Sequence, residues 1–134
     1  MTAFDPVTTY VHLADGAATT LVPVGDDFWQ TIHTRPELHE GRLLTAYNFP
    51  PGAWAHWERH PAGDEIVLLL SGALDLVFDE DGRRRVVELR GRAACVIPRG
   101  VWHVGVARAA SEALFLTRGQ GTEHRPLAPG DRLP

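Results

Sequence analysis

The sequence predicts an all-β fold, a sandwich or barrel, and two observations carry that reading. From Arg42 onward, short apolar segments of strand length alternate with turn residues: RLLTAYNF and PPG, AWAHWER and HPAGD, EIVLLL and SG, ALDLVF and DEDG. The rhythm continues through RRVVEL and RGR, AACVI and PRG, then WHVGVA and EALFLTR, giving about eight strands at the spacing of sandwiches and barrels. The second observation is the chemistry of two joints. Leu70-Ser71-Gly72-Ala73 and Asp79-Glu80-Asp81-Gly82 each offer a glycine for a positive backbone angle between apolar strands, and both read as hairpins.

The flanking segments are read by the same rules. In DDFWQTIHTRPELHE, Pro36 opposes a long helix, and Phe28, Trp29 and Ile32 are expected in a strand that covers one end of the barrel. The ends, MTAFDPVTT and PLAPGDRLP, read as surface arms. With no repeat or linker, residues 1–134 are expected to form one domain, its core running from about residue 10 to about residue 126.

Composition excludes several function classes. Hydrophobic residues make up 44% of the chain, and no apolar run approaches the roughly 20 residues that span a bilayer. A soluble protein without a membrane role is expected. The N-terminus lacks the basic start and apolar stretch of a secretory signal, and the single Cys95 has no partner for an internal disulfide, so a cytoplasmic location is expected. The net charge is −4, and the cluster Arg83 to Arg85 follows the acidic Asp79-Glu80-Asp81, which argues against a nucleic-acid partner. All 13 basic residues are arginine, so no lysine is present to form a Schiff base. The only serines, Ser71 and Ser111, lie outside any nucleophile-elbow sequence. Cys95, within AACVI, reads as a buried small hydrophobe.

The chemistry concentrates in PGAWAHWERHPAGDEIVLLLSG. His56, Glu58 and His60 stand at every second position of a strand and face one side of it. Glu65 follows across the HPAGD turn, where its carboxylate can swing beside His60, and His103 opens a later strand and can close the group from the other side. Imidazoles with carboxylates at short range hold borderline divalent metals. By alternation Trp54 shares a face with His56, where it could stack on a substrate ring, although a strand tryptophan is more often core. Tyr47, on the preceding strand, can also reach the cavity. His12, His33 and His39 read as structural or surface residues, and His124 with Arg125 are candidates to fold back over the barrel or over a partner subunit.

These residues resemble the two motifs of the cupin superfamily. The first motif is a glycine, five residues, His-x-His, three or four residues, Glu, six residues and a glycine; it is matched by Gly52, Glu58, Arg59, His60, Glu65 and Gly72, with Glu58 in place of the first histidine. The second is matched by Pro98, Gly100 and His103. Here Gly91 stands one residue further upstream than usual, and Ala107 replaces a frequent asparagine. The resemblance implies a jelly-roll barrel, the double-stranded β-helix, with His60, Glu65 and His103 as ligands of Fe, Mn, Ni or Zn. Glu58 then stands in the fourth ligand position, and three roles are open to it: direct ligand, orienting group, or general base. His56, Trp54 and Tyr47 are candidates to contact substrate. The implied function is a metal-binding barrel acting on a small molecule by dioxygenase or isomerase chemistry; the alternative is a non-catalytic small-molecule binding or sensor barrel. Resemblance also implies a homodimer.

Overall fold

The structure is a computed structural model and describes residues 1–131 and 133–134. The described residues contain twelve strands. In chain order they are β1 (Thr9–Leu13), β2 (Thr19–Pro23), β3 (Arg42–Phe49), β4 (Gly52–Ala53), β5 (His56–Arg59) and β6 (Glu65–Ser71). They continue as β7 (Ala73–Glu80), β8 (Arg83–Arg90), β9 (Ala93–Ile97), β10 (Trp102–Ala107), β11 (Ser111–Thr117) and β12 (Glu123–Pro126). One sheet has the order β2-β1-β3-β11-β6-β9 and the other β12-β5-β10-β7-β8, with β4 pairing to β10. The observed pairings are antiparallel, and the chain crosses between sheets at β3 to β4, β5 to β6, β6 to β7, β8 to β9, β9 to β10, β10 to β11 and β11 to β12. This is the jelly-roll architecture.

Alternation decides what fills the space between the sheets. Val67 and Leu69 of β6, Leu74, Leu76 and Phe78 of β7, and Phe115 of β11 are buried together, while Ile66, Leu68 and Leu70 take the opposite, more open face of β6. Glu65 and His103 occupy the same inward phase as these core residues, so a polar group is built at one end of an apolar barrel.

The second sheet is covered on its outer face as well. Trp57, Val77, Val104 and Val106 are buried there beneath Leu127 and Leu133 of the C-terminal segment. Arginines interleave with the tryptophans: Arg84 lies 4.4 Å from the Trp57 ring, Arg125 lies 5.1 Å from Trp57 and 4.7 Å from Trp102, and Arg59 lies 4.9 Å from Trp102. Carboxylates hold the ladder from its edges, Glu123 on Arg59, Asp79 on Arg125 and Asp131 on Arg84.

Two expectations are corrected. The Asp81-Gly82 joint is a two-residue hairpin, with φ of 54° and 84° and Glu80 opposite Arg83. The Ser71-Gly72 joint is a corner, not a hairpin, because β6 and β7 belong to different sheets. Gly72 has φ 94°, and a Cβ there would run into the Ala110 carbonyl and Ser111. The Phe28 segment is helical rather than extended: a turn at Phe28–Thr31 is followed by 3₁₀ turns at Ile32–Thr34 and Pro36–Leu38. These turns pack Phe28, Ile32 and Leu38 against Tyr10, Val22 and Leu43. No helix of the described residues is long and apolar enough to cross a membrane.

Candidate metal centre

Three strands and one turn bring Glu58, His60, Glu65 and His103 together. Glu58 sits opposite His103 in the β5/β10 pairing, and His60 is the first residue past β5. The turn that carries His60 is tied to the turn before β10: Gly100 N–H donates to the His60 carbonyl at 3.0 Å, and Arg99 N–H donates to Asp64 Oδ1 at 2.8 Å. Glu65 opens β6, where Thr117 donates its hydroxyl to Glu65 Oε2. One donor atom from each of the four residues lies within 4.8 Å of the others.

The outer nitrogens of both imidazoles are already engaged. His103 Nδ1 lies 3.1 Å from the Val101 carbonyl, which only accepts, so Nδ1 carries a proton and donates it. His60 Nδ1 lies 2.8 Å from Thr122 Oγ1, whose single proton goes to the Gly119 carbonyl at 2.8 Å. The Thr122 oxygen therefore accepts, and His60 Nδ1 also carries a proton. Both Nε2 atoms face inward.

There the distances are short. His60 Nε2 lies 3.2 Å from Glu65 Oε2 and 3.6 Å from Glu58 Oε1; His103 Nε2 lies 3.3 Å from Glu58 Oε1 and 3.4 Å from Glu65 Oε1. His60 Nε2 and Glu65 Oε1 are nonetheless buried without a hydrogen-bond partner of acceptable geometry among the described residues. Burial opposes charge on all four groups, yet their mutual contacts win. The adjacent Glu58 and Glu65 carboxylates, which favour the protonated imidazoles, raise His60 and His103 to about 9, and the histidines hold both carboxyls below their ordinary range. A metal at about 2.0–2.2 Å from nitrogen and oxygen donors sets neighbouring ligands roughly 3.0–3.5 Å apart, so this donor set and its orphaned inward atoms fit a divalent ion.

The other sequence candidates lie around this group. Glu58 is the most exposed member, at 23% of its side chain, and His124 of β12 lies opposite it with Nε2 3.6 Å from Glu58 Oε2. His56 is exposed at the same rim, its ring 6.3 Å from that of His124. Trp54 lies inside the barrel, stacked on Phe49 at 5.6 Å and edge-on to His103 at 6.4 Å, with its indole N–H buried and unpartnered. Tyr47 packs between Tyr10 and Phe115, and burial, with the Tyr10 phenol nearby, pushes its own phenol well above the ordinary value. Cys95 is half-buried against the core and burial raises its thiol, in line with a packing role. His12 and His39 are tied to the backbone carbonyls of Glu40 and Ile32. Sequence reasoning missed Thr117, Val101 and Thr122, whose hydroxyls or carbonyl serve the site without any spacing signal.

A family model described as a cupin domain matches residues 46–119. The chain belongs to the cupin family. Among solved structures, this cupin is similar to oxalate decarboxylase from Bacillus subtilis at 22% identity and a TM-score of 0.53, with 69% of this chain and 26% of that one covered. It is similar to Peruvianin-I, a cysteine peptidase from Thevetia peruviana latex, at 20% identity and a TM-score of 0.56, covering 66% and 58%. A structure of oxalate oxidase matches at 20% identity and a TM-score of 0.51, covering 60% and 44%. This cupin thus spans 26 to 58% of the length of those chains, and at such identities the likeness is one of fold. No curated protein matches it.

Proposed function

We propose that the chain is a single-domain cupin that holds a divalent transition metal on Glu58, His60, Glu65 and His103 and acts on a small molecule at that centre. The observation that carries this reading is the pair of buried atoms without a hydrogen-bond partner among the described residues, His60 Nε2 and Glu65 Oε1, in a group whose two imidazoles have their outer nitrogens occupied. An ion held there would supply Lewis-acid or redox chemistry toward an oxygen-donor ligand. Glu58, as the member nearest solvent, is the group placed to meet an incoming substrate and to exchange a proton with it. Dioxygenase or isomerase chemistry fits a centre of this kind. The oxalate-acting neighbours share its fold, and their reactions are candidates to assay. The unpaired thiol of Cys95 suits a reducing, cytoplasmic compartment.

Elemental analysis of purified protein, with thermal shifts on adding Fe²⁺, Mn²⁺, Ni²⁺ and Zn²⁺ separately, tests the reading. A bound metal or a shift with one ion is expected, and Glu58→Ala and His103→Ala should each lose it while the fold of the former persists. Unchanged metal content in both variants contradicts the assignment. The packing of Trp54 against Phe49 and Phe115 favours a second reading, a non-catalytic barrel that binds an aromatic or acidic metabolite. Saturable ligand binding without turnover in the metal-loaded protein distinguishes it. By resemblance we also read the protein as a homodimer; Val96 and Leu70, 59% and 43% exposed on the first sheet, suit a covered face. Light scattering that finds only monomer at micromolar concentration contradicts it.

A further inference from the structure

The family match ends at residue 119, yet the segment that follows reaches the metal centre. After β11 the chain turns at Gly119 to Gly121, with Thr122 N–H returned to the Gly119 carbonyl at 3.1 Å, and β12 then pairs with β5 so that His124 lies opposite Glu58. Gly121 has φ 74°, a conformation that suits glycine and lets the chain reverse beside Pro61. This course delivers the Thr122 hydroxyl to His60 Nδ1 from 62 residues away.

We propose that Thr122 is a positioning residue of the metal centre, fixing the His60 ring with its Nδ1–H on the Thr122 hydroxyl and its Nε2 aimed at the other three donors, free to give up its proton to an incoming cation. This rests on the reading that the four residues hold a metal. The chemistry is that of an imidazole with two nonequivalent nitrogens: a neutral ring has one proton, and only the nitrogen without it can bind a cation. Glu58 and Glu65 crowd the inner nitrogen of His60, and two carboxylates draw an N–H toward themselves. An acceptor at Nδ1 opposes that pull. The Thr122 hydroxyl is such an acceptor because its own proton is committed to Gly119, and the hydrogen bond also stops rotation of the ring. His103 obtains the same arrangement from a backbone carbonyl within its own strand entry, whereas His60 depends on a side chain outside the family's common region.

The test compares the unaltered protein with Thr122→Val, which keeps the side-chain shape, Thr122→Ala as a second hydroxyl-free variant, and Thr122→Ser, which restores the hydroxyl. Zn²⁺ affinity is measured by competition with a chromophoric chelator. The exchange-protected His60 Nδ1–H is followed in ¹H–¹⁵N spectra of histidine-labelled, metal-free protein, and its assignment comes from its loss in His60→Gln. Removal of an outer partner of a metal-binding histidine weakens affinity by about 10- to 100-fold, and that loss is expected in the Val and Ala variants, with recovery in Ser. The Nδ1–H signal should vanish in Val and Ala and persist in Ser. Zn²⁺ affinity and a protected Nδ1–H unchanged in Thr122→Val overturn the proposal, as does a Ser variant as weak as Val. Should the unaltered protein take up no Zn²⁺, the metal reading fails on its own, and the Nδ1–H signal still decides Thr122: retained in Val it overturns the assignment, and lost it supports it.

Discussion

Loading the centre with a divalent ion should expel two protons, and the effect is large enough to dominate the pH dependence of metal affinity. In the metal-free protein His60 and His103 are raised to about 9, while Glu58 and Glu65 are held below their ordinary range. At pH 7 the four groups therefore carry two positive and two negative charges. A metal ion requires both Nε2 atoms bare, so the ion's two charges replace the two protons and the centre stays neutral. Two pH units below its titration point, each histidine weakens apparent affinity about 100-fold, and the pair together weakens it about 10⁴-fold relative to pH above 9. The logarithm of the apparent Zn²⁺ association constant should climb with a slope near two between pH 6 and 9 and then level. Chelator competition at each pH gives the slope, and calorimetry in buffers of different ionisation heat counts the protons. A slope below one, or release of fewer than one proton per ion, refutes the argument.

Other outcomes follow from the same structure. In metal-free protein the raised histidines stabilise the fold fully below their unfolded value of 6.5 and lose that contribution as pH rises through about 9; the lowered carboxylates contribute fully above 4.5 and lose it in acid. Resistance to urea should be greatest between pH 4.5 and 6.5, and a melting temperature that rises from pH 6.5 to 9 contradicts this. Gly82→Ala, with open space around its Cβ, should cost about 1 kcal/mol from its backbone angle alone. Gly72→Ala adds a collision with the Ala110 carbonyl and Ser111 and should cost clearly more; equal midpoints in denaturant contradict the corner geometry. Trp57→Ala removes a fully buried ring and should cost about 3–5 kcal/mol by urea titration, and a near-neutral result would show that the outer face is not a packed layer.

The strand rhythm from Arg42 onward was legible because short apolar runs are punctuated by turn residues, and in β3 and β6 the single buried phase is written by residues such as Leu43 and Val67, whereas β7 and β10 are buried on both faces. The juxtaposition of Glu58, His60, Glu65 and His103 was legible through the resemblance of their motifs to those of the cupins; period-two spacing alone grouped His56 with them, and His56 is exposed at the rim. Gly72 misled because a turn residue between apolar runs looks alike whether the next strand pairs with the last or leaves for the other sheet. Phe28, Trp29 and Ile32 have no short-range signal that separates a strand from helical turns, and their conformation is decided by packing under Tyr10 and Leu43. Thr122 was invisible because its partner lies 62 residues away and a threonine after a glycine turn is unremarkable as a string.

The interleaved arginines and tryptophans on the outer face bear on the metal centre without touching it. Trp57 and Arg59 share β5 with Glu58, and a slip of that short strand by one residue would turn Trp57 into the barrel and Glu58 out of it. Seating Trp57 between Arg84 and Arg125, beneath the C-terminal segment, makes the slipped register lose a buried indole and its cation contacts together. The outer ladder thus acts as an alignment key: it selects which side of β5 faces His60, Glu65 and His103, so a change there is expected to disturb the group with all four side chains intact.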